Sequence, residues 1–221
     1  MFRLYLFHET RKRFTQRQLL ANEEEKMIEN GRLVKASNVL VKEFSREEAG
    51  KMNVKRYCLL AQLSRPTFYA YYGSLPQLVT ELLVKQLEVN FVPEHGGYNS
   101  GLNQLLLYMS ANRNYFLHAI SFIKDVQCRQ TGRKKGEEFA IMLPDKVREA
   151  ILRVTRNYVA EHSKTGDYSN KMVRNAADLI YATLYEWINH GMRDDQSEIV
   201  DRCQIAVQII EDQIRKTAVG K

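Results

Sequence analysis

Little punctuates this chain. Its 221 residues include only four prolines and 11 glycines. The long stretches between them carry apolar side chains at three- and four-residue steps, the spacing of an amphipathic helix, and not the alternation of a strand. The expected fold class is therefore all-α. Cysteine is also scarce: Cys58, Cys128 and Cys203 are odd in number and far apart, with no C-x-x-C pair and no Cys/His cluster at metal-ligand spacing. That argues against a disulfide framework or a structural metal, and fits a reducing, cytoplasmic setting. No apolar run approaches the ~18 residues a membrane span needs. The opening MFRLYLF is broken by Arg3 and lacks a small-residue cleavage site behind a longer apolar stretch, so neither a membrane span nor a secretory leader is expected. The five histidines (His8, His95, His118, His162, His190) are scattered. No nucleophile, base and orienting group can be paired, so neither catalytic residues nor a cofactor is expected.

What is present suffices for a folded core. The chain is 44% hydrophobic and 10% aromatic, with a formal net charge of +7 and a pI near 9.2. The charge is uneven: residues 1–92 hold 15 Lys+Arg against 10 Asp+Glu, and residues 93–221 hold 18 against 16. A basic first half suits a module that meets phosphate or an acidic surface, although a modest excess is also common on solvated faces.

Breaks fall at Gly73-Ser74, at PEHGGYNSG (93–101), at TGRKKG (131–136), at Pro144, at SKTGDYSN (163–170) and at Gly191 to Asp195. Between them the periodicity predicts nine helices, at 32–47, 54–61, 65–72, 75–91, 101–112, 114–129, 145–162, 171–190 and 197–216. Residues 1–31 form an N-terminal extension in which Leu19, Leu20, Met27 and Ile28 could share a helical face with Phe14 nearby. The cluster Arg11, Lys12, Arg13 and Arg17 reads either as a DNA-reaching arm or as a solvated terminus.

Residues 53–78, NVKRYCLLAQLSRPTFYAYYGSLPQL, carry the densest local signals. Asn53 can cap a short helix with Val54, Tyr57, Cys58 and Ala61 on one face. Ser64 can cap a second, in which Pro66 is tolerated because a first-turn N–H has no intrahelical partner. Two short helices across a tight turn are the geometry in which a second helix enters the ~12 Å major groove of DNA. Phe68 and Tyr72, four apart, can face the core, leaving Arg65, Thr67, Tyr69 and Tyr71 for phosphates or base edges. Ser74 and Gln77 then fit a capping box, and Leu75, Leu78, Val79, Leu82, Leu83 and Leu87 trace a long helical stripe. The competing interpretation is a plain pair of packed helices with an aromatic core.

The stretch Ala61-Gln62-Leu63-Ser64-Arg65-Pro66-Thr67-Phe68-Tyr69-Ala70-Tyr71-Tyr72 resembles the recognition segment of TetR-family transcriptional regulators. Phe44 matches the aromatic that ends the family's first helix. Tyr108 to Phe116 is similar to the opening of the ligand-binding region, and Leu184 to Met192 to the end of the penultimate helix. Glu48 and Ala49 stand where the family commonly has Gly and an aromatic, and Leu75 where Lys is frequent. The resemblance spans roughly residues 32–216. It implies an N-terminal helix-turn-helix three-helix unit (32–74) followed by a helical effector-binding and dimerisation domain (75–216). Asn53, Ser64, Arg65, Pro66, Thr67, Tyr69 and Tyr71 are then the DNA-binding candidates.

In the second half, Ile199, Cys203, Ala206 and Ile210 form one stripe, and Ile180, Leu184 and Trp187 lie on another. These seven are the candidate dimer interface, in a four-helix bundle shared between two copies; the same stripes could instead be buried within one subunit. Tyr108, Tyr115, Phe116, His118, Phe122, Met142 and Tyr181 are the candidate lining of an effector pocket of mixed character. The expected function is a homodimeric repressor of a double-stranded DNA operator, released by an unidentified small molecule. The alternative is a helical protein-interaction or assembly module of the same fold that has lost operator binding.

Overall fold

The computed structural model describes residues 38–93, 97–131, 145–163 and 168–216, and among these residues it contains nine helices and no strand. They are α1 (38–44), α2 (Val54–Leu60), α3 (Arg65–Tyr72), α4 (Leu75–Asn90), α5 (Tyr98–Ala111), α6 (Arg113–Thr131), α7 (Asp145–His162), α8 (Asn170–Asn189) and α9 (Gln196–Lys216). The N-terminal extension 1–31 and Met142 lie outside the described residues.

Local chemistry sets the starts. Asn53 Oδ1 accepts from the Arg56 N–H at 3.0 Å, Ser64 Oγ from Thr67 at 3.2 Å and Ser74 Oγ from Gln77 at 3.3 Å. Each cap satisfies a donor that the first turn would otherwise leave without a partner. The capping box at Ser74 is only half formed, because the Gln77 amide turns to Glu81 Oε1 at 3.1 Å.

Two boundaries differ from expectation. α1 ends at Phe44 and not near 47; Glu47 and Glu48 would sit at a helix C-terminus, where the dipole disfavours negative charge. α5 begins at Tyr98 and runs through Gly101. A Cβ at Gly101 would lie 2.7 Å from the Pro93 backbone, so this glycine permits close packing and does not break the helix.

The long helices form one continuous buried core. α8 packs on α9 and α7, α4 crosses α7 and α6, and α5 lies on α9. All six residues of the α4 stripe, Leu75 among them, are buried. Polar ties run between helices and from helix to loop. The Tyr98 hydroxyl meets Thr155 Oγ1 at 2.7 Å in the interior, and Arg148 grips Asp178 with two bonds of 2.7 and 2.6 Å. The Trp187 indole N–H donates to the Asp194 carbonyl at 3.1 Å.

Candidate functional site

α2 and α3 are seven and eight residues long, too short to persist alone. An aromatic cluster holds them: Tyr57 packs on Phe68 and Tyr72 with ring centroids 5.4 and 6.4 Å apart, and Phe68 lies 5.5 Å from Tyr72. All three rings are buried. The turn between the helices closes with the Leu63 N–H on the Cys58 carbonyl at 2.9 Å and Gln62 on Leu59 at 3.4 Å. That is a Schellman ending, and it puts Gln62 at φ 54, a left-handed conformation that glycine adopts more readily. Because the turn lacks a glycine, composition gives no sign of it.

With Phe68 and Tyr72 turned inward, the rest of the α3 circumference is open. Tyr69 is 53% and Tyr71 49% exposed, and Ser64, Arg65 and Pro66 are exposed as well. Thr67 is half-buried, its hydroxyl 2.7 Å from Ser64 Oγ. Asn53 and Ser64 thus position the two helices, while Arg65, Tyr69 and Tyr71 offer a guanidinium and two phenols to solvent. Lys55, Leu59 and Leu60, which no motif in the sequence marks, also lie exposed on α2, with Leu59 at 78%.

A polar clamp joins α1 to α2, and a ring cluster joins it to α6. Buried Glu43 receives Arg56 at 2.6 Å and Arg46 at 3.0 Å. Phe44 stacks obliquely against Tyr115 and Phe122 of α6, at 6.3 and 6.1 Å. His118 Nδ1 lies 2.7 Å from the Phe44 carbonyl; since a carbonyl only accepts, that nitrogen carries the proton.

The six effector-pocket candidates among the described residues do not converge. Phe116 lines a small apolar cavity of about 30 Å³ among α4, α5, α6, α7 and α8, with Leu83, Leu105, Met109, Ile151 and Leu184. That is room for about one water. His118 and Phe122 line a larger crevice of about 620 Å³ between α6 and the 49–52 loop. Tyr108 donates to Gln86 Oε1 at 2.6 Å. Tyr115 is buried with no partner for its hydroxyl among the described residues, and burial pushes its pKa up. Tyr181 stacks on Tyr185, and its pKa is pushed up to about 12, chiefly by burial. Helical spacing put all these residues on inward stripes; which neighbour each stripe meets depends on how the helices are rotated against one another.

The candidate dimer residues Ile180, Leu184, Trp187, Ile199, Cys203, Ala206 and Ile210 are all buried inside the single chain. They form the core between α8, α9 and their neighbours and present no surface to a second copy. The outward apolar side chains of the same helices are Met172 at 37%, Leu179 at 45% and Ile205 at 69% exposure.

Among the described residues no group of His, Cys, Asp and Glu is arranged to hold a metal ion, and no helix is long and apolar enough to cross a membrane. Comparison with protein-family models gives no match, and comparison with curated proteins gives none.

Proposed function

We propose that this chain is a DNA-binding transcriptional regulator of TetR type, acting as a homodimeric repressor that a small molecule releases from its operator. The observation that carries the reading is that α3, anchored by Phe68 and Tyr72, leaves Arg65, Tyr69 and Tyr71 exposed around the rest of one short helix. In this reading α2 and α3 form a helix-turn-helix and α3 enters the major groove. Arg65 contacts a guanine edge, and the Tyr69 and Tyr71 hydroxyls meet phosphates.

The dimer forms through the outward faces of α8 and α9, around Leu179 and Ile205. Sedimentation of the purified protein at micromolar concentration should give about twice 25.8 kDa, and Leu179→Glu with Ile205→Glu should yield a helical monomer. A wild-type monomer would remove the two-headed DNA reading. The effector enters among α4 to α8 by enlarging the apolar cavity there. It acts by preferring the spacing of the two recognition helices that does not fit DNA. Selection of genomic fragments with the protein, followed by footprinting, tests the whole: one enriched inverted repeat supports it, and no enrichment over a charge-matched control overturns it. The assembly-module reading rests on exposed Leu59 and Leu60, which suit a protein partner better than a phosphate backbone.

A further inference from the structure

The crevice between the 49–52 loop and α6 is a better formed site than the apolar cavity of the helical body, with which it shares no lining residue. One wall is a single stripe of α6, in which His118, Ser121, Phe122, Asp125, Cys128 and Arg129 follow each other at helical spacing. The other wall is the loop, and it is clamped. Gly50 lies so close to the Arg56 guanidinium that a Cβ there would meet Nη1 at 2.2 Å. Arg56 is in turn held at 2.6 Å by buried Glu43. A larger residue at 50 would have to displace the Arg56 guanidinium from Glu43, so the loop that carries Lys51 lies directly against this ion pair.

Its chemistry is specific. Half-buried Phe122 supplies an aromatic surface, backed by buried Phe44 with ring centroids 6.1 Å apart. Lys51 and Arg129 supply two cations against the single carboxylate of Asp125. The Arg129 Nε–H is committed to the Asp125 backbone carbonyl at 3.0 Å, which steadies the guanidinium. The volume of about 620 Å³ falls in the range of small-ligand sites. We infer that this crevice is a binding site for an aromatic anion, its ring on Phe122 and its acidic group between Lys51 and Arg129. The inference goes beyond the regulator reading and stands on the geometry of the crevice, whatever α3 binds.

The probe is the fluorescent anion 1-anilinonaphthalene-8-sulfonate, with uncharged N-phenyl-1-naphthylamine as its control. The wild-type chain should bind one anion saturably. Lys51→Gln with Arg129→Gln, both at exposed positions, should weaken the anion by about tenfold or more, because charge-assisted contacts are lost, and leave the neutral probe within about threefold. Ser121→Trp, an exposed α6 position facing the crevice, should block the anion by filling the space. Circular dichroism and melting confirm that each variant is folded. Anion binding unchanged in either variant, equal loss of both probes in the double variant, or no saturable binding to the wild type would each overturn the proposal. No operator enters these measurements, so their failure is separate from failure of the DNA-binding reading.

Discussion

The α2–α3 pair and the α8–α9 pair solve the same problem with different means. The first has helices of seven and eight residues, fixed by the Asn53 and Ser64 caps and one cluster of three buried rings, and it leaves two tyrosines outside. The second has helices of 20 and 21 residues and buries long apolar stripes, leaving Leu179 and Ile205 outside. Even their endings match in form. α8 closes with the Met192 N–H on the Trp187 carbonyl at 2.8 Å and Gly191 on Ile188 at 3.0 Å, as α2 closes around Gln62. At α8 the matching left-handed position, φ 74, belongs to glycine, with Met192 at φ 51 after it; at α2 it belongs to glutamine alone. An apolar stripe in a long helix is therefore explained by its own core, whereas Tyr69 and Tyr71 of the short pair only edge the core, against Phe68 and Tyr72 at 5.3 and 6.4 Å, and stay half exposed.

The comparison breaks most easily in the long pair. Trp187 is buried with its indole N–H bonded, so Trp187→Ala should cost about 3–5 kcal/mol in denaturant unfolding. A cost under about 1 kcal/mol would mean that α8 and α9 do not carry the core. Alkaline pH probes the same interior. Burial pushes the Cys203 thiol up to about 11 and raises the buried Tyr98 phenol as well. A folded pKa above the unfolded one favours the native state below the unfolded pKa, and that advantage is lost as pH rises through the folded value. Stability should thus fall between about pH 9 and pH 11, with Cys203 contributing on the order of 2 kcal/mol, and Cys203→Ala should flatten that part of the profile. A profile that stays steep in the variant would assign the fall to the tyrosines alone.

In the short pair the larger effects should be on binding. Arg65→Ala should weaken the preferred operator by roughly 1–3 kcal/mol and relax discrimination at one base pair per half-site. Tyr69→Phe should weaken all sequences about equally and leave stability within about 0.5 kcal/mol. Unchanged affinity in both folded variants would shift the preference to the assembly module. The smallest effect sharpens the matched endings: Gln62→Gly should stabilise by about 0.5–1 kcal/mol by relieving the left-handed glutamine. Destabilisation would show that the Gln62 side chain makes a compensating contact.

Much of the secondary structure could be read in advance because it depends on neighbours along the chain. A serine or asparagine three residues before the donor it caps is visible in one dimension, and so is a leucine every three or four positions. For this reason α2, α3 and α4 begin at their expected caps and the α4 stripe is buried as expected. The errors came where a residue's role is set by something distant. Gly101 reads as a break until Pro93 is seen against it.

The candidate sites divide along the same line. Periodicity alone told that Ile180, Leu184, Trp187, Ile199, Cys203, Ala206 and Ile210 must leave water, because a repeat near 3.6 residues puts them on common faces. It carried no information on whether the covering surface is a second copy or the same chain, since an apolar face gains as much from either. Helix packing decided for the same chain, leaving Leu179 and Ile205 as the outer face. Likewise the inward tyrosines and phenylalanines of α5 and α6 were evident from spacing. Their separation into a cavity with room for about one water, a polar crevice and solid core was decided by rotations of whole helices, which no stretch of chain encodes locally.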